Sequence, residues 1–221
     1  MVRTRYHPPM TAARTLVRDP SAWVAGACAL AFLVLAAVVN GQGYVAFDET
    51  VIASVKGLPV PAGAWEAITA AGGVALIPVG VALVASLLLR RQYRLALLVA
   101  VALIGASLFT EGAKHFVARP RPPGQPVVFA PGYSFPSGHT LNSTVTYGLT
   151  AFVAWRSALP LAARRAIVVI LVGLIGAVGL SRIALGVHYP SDVLAGWLAG
   201  MAIVAIAVVA AHLAEAAVPS G

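Results

Sequence analysis

Long apolar runs are the feature that most constrains this chain. Six of them approach the roughly 20 apolar residues that a membrane-spanning helix needs. In chain order they are Ala22–Val39, Ala67–Leu89, Leu95–Ala113, Gly138–Trp155, Ala166–Leu185 and Ser191–Ala211. Only 10% of the 221 residues are charged and 60% are hydrophobic, whereas soluble domains carry about 25% charged residues. The sequence therefore predicts an all-α, polytopic membrane protein with six transmembrane helices.

Charge in the connecting segments predicts the orientation of these helices. Arginines concentrate in the N-terminal segment 1–20 and in the loops 90–94 and 156–165. Because basic residues are retained on the cytoplasmic side, we expect these segments and both termini to be cytoplasmic. We also expect the first run to be an uncleaved span, since its polar lead is long for a signal peptide.

The loop after the first run contains a short amphipathic segment. Apolar residues recur at helical spacing within Phe47–Leu58, which predicts a short interfacial helix on the outer surface. We see no repeat or second domain, and expect a single domain over residues 1–221 with a flexible tail at 215–221. The net charge of +8 lies mostly in topology-setting loops, so we expect no nucleic-acid partner. Cys28 is the only cysteine and cannot form an intramolecular disulfide.

Three polar clusters interrupt this pattern, and the predicted topology places all of them at the outer face. They are KHFVARPRP (Lys114–Pro122), PSGH (Pro136–His139) and SRIALGVHYPSD (Ser181–Asp192). The second cluster opens the fourth apolar run, which is the weakest of the six by hydropathy. Polar groups at the mouth of a span indicate a functional site when two further clusters converge there.

The clusters hold groups suited to a phosphate. Lys114, Arg121 and Arg182 supply three cations, which match the charge of a phosphate monoester and of its equatorial oxygens during transfer. Ser137 and Gly138 would open a helix whose backbone N–H groups bind an anion. A glycine there lets an oxyanion approach the backbone closely.

Two histidines suggest a division of chemical roles. His188 and Asp192 are spaced i, i+4 near a predicted helix start, and a carboxylate that accepts from one imidazole nitrogen leaves the other as a nucleophile. His139 follows the anion site directly and is placed to exchange a proton with a leaving oxygen. No carboxylate cluster suited to Mg²⁺ or Zn²⁺ accompanies them, so we expect phosphoryl transfer without a metal or other cofactor.

In order and spacing these clusters resemble the signature of the type 2 phosphatidic acid phosphatase (PAP2) superfamily. That signature reads K-x6-R-P, then P-S-G-H, then S-R-x5-H-x3-D. Here it is met without departure, from Lys114 to Asp192. Soluble vanadium haloperoxidases share the site, but six apolar runs favour the membrane branch.

The resemblance implies a role for each matched residue. His188 attacks phosphorus and becomes a phosphohistidine, oriented by Asp192, while His139 protonates the leaving oxygen and then activates water. The phosphoryl oxygens are held by Lys114, Arg121, Ser137, Gly138 and Arg182.

Several nearby residues keep two interpretations. Arg119 is either a solvated rim charge or a substrate contact. Glu111 and His115 are expected to form structural hydrogen bonds. Asn142 either joins helices by hydrogen bonds or lines a lipid entrance.

The resemblance implies a lipid phosphate phosphatase that acts at the outer leaflet of a bacterial cytoplasmic membrane. We rank an undecaprenyl diphosphate-like carrier lipid first as substrate. The alternatives are a phosphatidylglycerophosphate or phosphatidate phosphatase of broad specificity, a lipid phosphotransferase, and a lipid-phosphate binder or transporter without turnover. The expected partners are the lipid substrate and the bilayer, and the oligomeric state stays open.

Overall fold

The computed structural model describes residues 19–42 and 45–217, which form eight helices and no strand. The predicted all-α class is confirmed for this part of the chain. The helices are α1 (Pro20–Gln42), α2 (Phe47–Lys56), α3 (Ala62–Ala70), α4 (Leu76–Leu89), α5 (Tyr93–Val117), α6 (Gly138–Trp155), α7 (Leu161–Ala184) and α8 (Pro190–Ala216).

Both predicted terminal segments fall largely outside the described residues. Positions 1–18 and 218–221 are not described, so the cytoplasmic segment 1–20 stays a prediction. The flexible tail expected at 215–221 also stays a prediction, and of its residues only those up to Ala216 lie in α8. The carboxylate of Glu215 pairs with Arg156, the residue that follows α6, and this ion pair connects the last turn of α8 to the end of α6.

Within the described residues, four helices have the length and apolar composition to cross a membrane, namely α1, α5, α7 and α8. Helix α4 has 14 residues, which is short for a span, and α6 has 18 residues with a polar first half. The fourth apolar run, which is the weakest of the six by hydropathy, therefore forms α6 with its polar residues in the first half of the helix.

The second predicted span, Ala67–Leu89, is not one helix. It breaks at residues 71–75 into α3 and α4. A methyl group on Gly72 would lie 2.4 Å from Cγ1 of Val178, so the turn packs against α7 only because that residue is glycine. The Tyr147 hydroxyl donates to the carbonyl of Ala71 over 2.6 Å. This hydrogen bond satisfies a backbone group that the break leaves free.

Helix α8 lies at the centre of the bundle, in contact with α1, α2, α5, α6 and α7. Its contact with α6 is made by a Gly-x-x-x-Gly pair, Gly196 and Gly200. A methyl group on Gly196 would lie 2.9 Å from the carbonyl oxygen of Ser137, and one on Gly200 would lie 2.6 Å from Cβ of Thr144. Small residues at this spacing let two helix backbones approach closely, and here they hold the start of α6 against α8.

The predicted amphipathic helix is present as α2, and it packs on protein. Val55 contacts Ile183 of α7 and Val193 of α8 in a small apolar cluster. Asp48, in the first turn of α2, is completely buried. Helix α2 therefore covers the junction between α7 and α8, next to the predicted catalytic residues.

Candidate active site

The start of α6 presents backbone N–H groups that precede its first helical hydrogen bond. Ser137 is the N-cap, its own N–H donates to the carbonyl of Asp192 over 3.0 Å, and its carbonyl accepts the first helical bond, from Leu141. The N–H groups of Gly138 and His139 precede that bond, so they remain as the first-turn donors that bind anions in other proteins. The buried Ser137 hydroxyl accepts a hydrogen bond from Thr140 over 2.9 Å and keeps its own proton to donate.

Lys114 lies on the last turn of α5, beside the start of α6. Its Nζ forms an ion pair with Glu111 over 2.9 Å. A methyl group on Gly138 would lie 3.8 Å from the same Nζ atom. The ammonium group is therefore close to the α6 donors while it pairs with Glu111.

Arg121 is fixed by backbone carbonyls. Its guanidinium donates to the carbonyls of Pro131, Gly132 and Val187 over 2.9, 3.1 and 2.8 Å. The same Nη1 that bonds Val187 lies 3.3 Å from Nε2 of His188. Since a guanidinium can only donate, Nε2 is assigned as the acceptor and the ring proton as lying on Nδ1. That tautomer leaves the Nε2 lone pair facing the cations.

His188 and Asp192 form the expected pair, with a longer separation than a hydrogen bond prefers. Nδ1 of His188 is 3.5 Å from Oδ2 of Asp192, and among the described residues Nδ1 has no hydrogen-bond partner. Both side chains are buried. Burial lowers the pKa of His188 below its ordinary value of 6.5, while the carboxylate of Asp192 opposes that change. Catalytic hydrogen bonds are often long before substrate binds.

The local fold explains the order of these residues. Helix α7 ends at Ala184, and the carbonyl of Arg182 accepts the N–H groups of Val187 and His188 over 3.2 and 3.3 Å. Pro190 then begins α8 with Asp192 in its first turn. His188 thus lies just before α8, near the helix start that the sequence predicts.

Arg182 completes the cation cluster from α7. Its side chain is buried and Nη1 donates to Oγ1 of Thr69 over 2.7 Å. Its Nε is buried and has no hydrogen-bond partner in the described part of the chain. One donor of this guanidinium is therefore not used by the described residues.

His139 faces the helix break between α3 and α4. A methyl group on Gly73 would lie 3.1 Å from Nε2 of His139, so the glycine turn forms one wall of the imidazole site. Arg182, Lys114 and Arg121 are all near enough to act electrostatically on this ring. The structure therefore brings together the predicted site residues from α5, α6, α7, α8 and the loops between them. They are Lys114, Arg121, Ser137, Gly138, His139, Arg182, His188 and Asp192.

The interpretation of Arg119 as a solvated rim charge is wrong. Its side chain is 2% exposed and pairs with Asp192 over 2.6 Å and with Asp48 over 3.0 Å. Asp48 is not among the residues identified from the sequence, because an acidic residue in a segment between two spans usually faces water. A signal was available, since Asp48 precedes Val51 and Ile52 by three and four residues and so shares their apolar helix face.

The remaining polar residues near the site are Glu111, His115 and Asn142, and the structure gives them different surroundings. Glu111 pairs with Lys114 as expected, and the His115 ring packs edge-on against Tyr133, with 5.8 Å between ring centroids. Asn142 lines the groove described next, and its buried Oδ1 has no hydrogen-bond partner within the described residues. This position favours the lipid-entrance interpretation of Asn142.

A groove of about 910 Å³ leads from these residues between α4, α5 and α6. Its polar end is formed by Lys114, Gly138, His139 and Asn142. Its remaining length is lined by apolar side chains such as Val81, Leu88, Leu103 and Ile104. The groove has the form that an amphiphile with an anionic head requires. Within residues 19–42 and 45–217, no three His, Cys, Asp or Glu side chains converge to hold a metal ion.

Comparisons with known proteins agree with this architecture. The PAP2 superfamily model matches residues 95–215. Phosphatidylglycerophosphatase B of Bacillus subtilis is 30% identical over 179 residues, which cover 78% of this chain and 87% of that protein.

Two solved structures are similar. The transmembrane PAP2-type phosphatidylglycerolphosphate phosphatase of Bacillus subtilis matches with a TM-score of 0.77 and 25% identity, covering 90% of this chain and all of that one. LpxE of Aquifex aeolicus matches in fold with a TM-score of 0.59 and 20% identity, covering 74% of this chain and 96% of that one.

These findings define an integral membrane protein that acts as a lipid phosphatase. The chain belongs to the PAP2 superfamily.

Proposed function

We propose that this phosphatase hydrolyses the phosphate monoester of a glycerophospholipid, with phosphatidylglycerophosphate as the first candidate. The apolar groove that ends at Lys114, Gly138 and His139 carries the proposal, because it lets a lipid lie with its phosphate at the start of α6. The sequence hypothesis ranked an undecaprenyl diphosphate-like lipid first. The names of the similar proteins support its alternative instead.

In the proposed mechanism, Nε2 of His188 attacks phosphorus in line with the lipid oxygen. The P–O bond to the lipid breaks, and His139 supplies the proton that the leaving alkoxide needs. Water, deprotonated by His139, then attacks the phosphohistidine and releases inorganic phosphate. Lys114, Arg121, Arg182 and the α6 donors would stabilise the charge on the equatorial oxygens.

We further propose that α6 and the broken α3–α4 unit also cross the bilayer, giving six crossings in one domain over residues 1–221. Both termini would be cytoplasmic, and the site would face outward from the cytoplasmic membrane. Arginine-rich loops support this orientation. In a Cys28→Ala background, an impermeant thiol reagent should label Gln125→Cys in intact cells and leave Gln92→Cys unlabelled until the cells are opened. The reverse pattern would contradict the orientation.

The substrate proposal is tested by phosphate release from purified protein in detergent. The panel consists of phosphatidylglycerophosphate, phosphatidate and undecaprenyl diphosphate, each with and without EDTA. We expect the highest kcat/KM on phosphatidylglycerophosphate, no loss in EDTA, and inhibition by vanadate as a transition-state mimic. A clear preference for undecaprenyl diphosphate would overturn the substrate assignment. Unchanged phosphate release by His188→Ala would overturn the mechanism.

A further inference from the structure

A buried ionic cluster lies behind the His188–Asp192 pair. Nη1 of Arg119 donates to Oδ1 of Asp192 over 2.6 Å and to the hydroxyl of Ser191 over 2.8 Å. Nη2 of Arg119 donates to Oδ2 of Asp48 over 3.0 Å. The guanidinium also stacks on the ring of Tyr189, 3.9 Å from its centroid. Arg119 therefore joins the loop after α5 to α2 and to the first turn of α8.

The two oxygens of Asp192 have separate partners. Oδ1 accepts from Arg119, whereas Oδ2 accepts the N–H of Tyr189 over 2.9 Å and faces Nδ1 of His188. With Oδ1 held by a charge-assisted bond, rotation of the carboxylate is opposed, and Oδ2 stays directed at the imidazole. The orientation of Asp192 thus depends on Arg119.

Asp48 in turn holds Arg119. Its Oδ1 accepts the N–H of Ser191 over 2.8 Å, and its Oδ2 accepts the Ser191 hydroxyl over 2.7 Å together with Arg119. Two carboxylates and one guanidinium leave one net negative charge in this cluster. Breaking a buried ion pair by removing one partner is costly because the other charge is left uncompensated.

The remaining charged groups near His188 come from other elements. Asp192 approaches from α8, Arg182 from α7 and Arg121 from the loop after α5, while His139 lies across the site on α6. Arg182 and Arg121 both oppose a protonated imidazole. The Asp48–Arg119–Asp192 cluster is therefore the acidic counterpart that keeps the Nδ1–H tautomer favoured.

We propose that Asp48 and Arg119 are positioning residues for the catalytic histidine, with α2 acting on His188 through Arg119 and Asp192. Asp48 lies outside residues 95–215, the segment that matches the superfamily. In this proposal, helix α2 contributes a residue that positions the catalytic histidine. The kinetic part of this inference rests on the proposed hydrolysis, and the spectroscopic part does not.

The kinetic test compares Asp48→Asn with the neighbouring control Glu49→Gln, whose side chain is exposed, on a lipid phosphate that the wild-type protein turns over. We expect Asp48→Asn to lower kcat about 10- to 100-fold, the range seen for partners one step removed from a reactive group. KM should change less than threefold, because Asp48 touches no part of the groove. In an Asp192→Asn background, Asp48→Asn should lower kcat little further, since its effect passes through Asp192. Glu49→Gln should match the wild type.

An equal loss of kcat in both backgrounds would overturn the proposal, as would an unchanged kcat in Asp48→Asn. If Asp48→Asn does not yield folded protein, Arg119→Lys serves in its place. Lysine keeps the charge but cannot bridge two carboxylates in the planar geometry of a guanidinium, so the same losses are expected.

The spectroscopic test needs no substrate and so separates this inference from the proposed function. Nitrogen-15 histidine NMR of the full chain in detergent reports which ring nitrogen carries the proton, with His188→Gln used to assign the signal. We expect the Nδ1–H tautomer in the wild type and a mixture of tautomers in Arg119→Gln. The same tautomer in both proteins would overturn the positioning role, even if phosphatase activity is observed as proposed.

Discussion

The contact between α8 and the start of α6 gives the sharpest test of how the fold positions the site. Replacing Gly196 with alanine would put a methyl carbon 2.9 Å from the carbonyl oxygen of Ser137 and 2.9 Å from Cβ of Thr140. Ordinary contacts begin at 3.4 Å, so α6 and α8 must separate by roughly 0.5 Å at this point. Overpacking of this kind costs about 1–3 kcal/mol.

The expected effect on activity follows from the same displacement. Ser137 begins the anion-binding turn, and a 1 Å misplacement of catalytic groups can cost about 100-fold in rate. A shift of half that size predicts a loss of about 10-fold in kcat/KM for Gly196→Ala. Gly200→Ala forces a larger separation, from 2.6 Å at Cβ of Thr144, but deeper in the bundle. We therefore expect it to lower stability more and activity less.

Thermal unfolding in detergent and phosphate release from one lipid substrate measure the two effects. Gly105→Ala on α5 is the matched control, because its added methyl group would have no described atom within 4 Å apart from its chain neighbours and the backbone of its own helix. This control should keep full activity. The reasoning is refuted if Gly196→Ala behaves like Gly105→Ala in both assays.

Three further predictions concern the catalytic groups. Asp192→Asn should lower kcat by about 10³- to 10⁴-fold, as loss of an orienting carboxylate does in hydrolytic triads, and an unchanged steady-state kcat would contradict its assigned role. Burial lowers the pKa of His188, and the nucleophile must be neutral, so the midpoint of the acid limb in the pH profile of kcat/KM should lie below pH 6.5. A midpoint above 6.5 would count against His188 as nucleophile. Gly73→Ala should press on His139 and lower kcat several-fold. The control is Gly63→Ala, whose added methyl group has no described atom within 4 Å apart from its chain neighbours and its own helix backbone, and which should be neutral. Equal rates of the two variants would exclude the glycine turn as a wall of the site.

Local patterns in the sequence were enough to predict the helical class and the convergence of three clusters. Apolar runs indicate helices through composition alone, and the amphipathic spacing within residues 47–58 locates α2 to within a few residues. His139 and His188 can be identified as candidate catalytic residues, because a histidine beside an anion-binding site seldom has a purely structural role. These inferences need no knowledge of which helices touch.

The break between α3 and α4 could not be predicted in the same way. Gly72 and Gly73 are typical of close packing and of a bend within one span, and the apolar character of the sequence continues through them. The break is stable because Tyr147 satisfies the carbonyl of Ala71 and because His139 and Val178 pack against the turn. Those partners lie far away in sequence, so tertiary contact decides the outcome.

Arg119 shows a similar limit. A basic residue in a loop beside the membrane usually faces water, and its sequence neighbours give no other indication. Its burial depends on two carboxylates from α2 and α8. Only the folded chain brings these groups together. The position of Asp48 on an apolar helix face is the one sequence feature that indicates a buried carboxylate.

The central claim is that His188 carries the phosphoryl group between the lipid and water. The most direct measurement is a rapid alkaline quench of the enzyme with ³²P-labelled lipid phosphate, followed by peptide mapping by mass spectrometry. The account predicts an alkali-stable, acid-labile phosphoramidate on His188 that is absent in His188→Ala. Turnover without label on His188, or label on another residue, would contradict it.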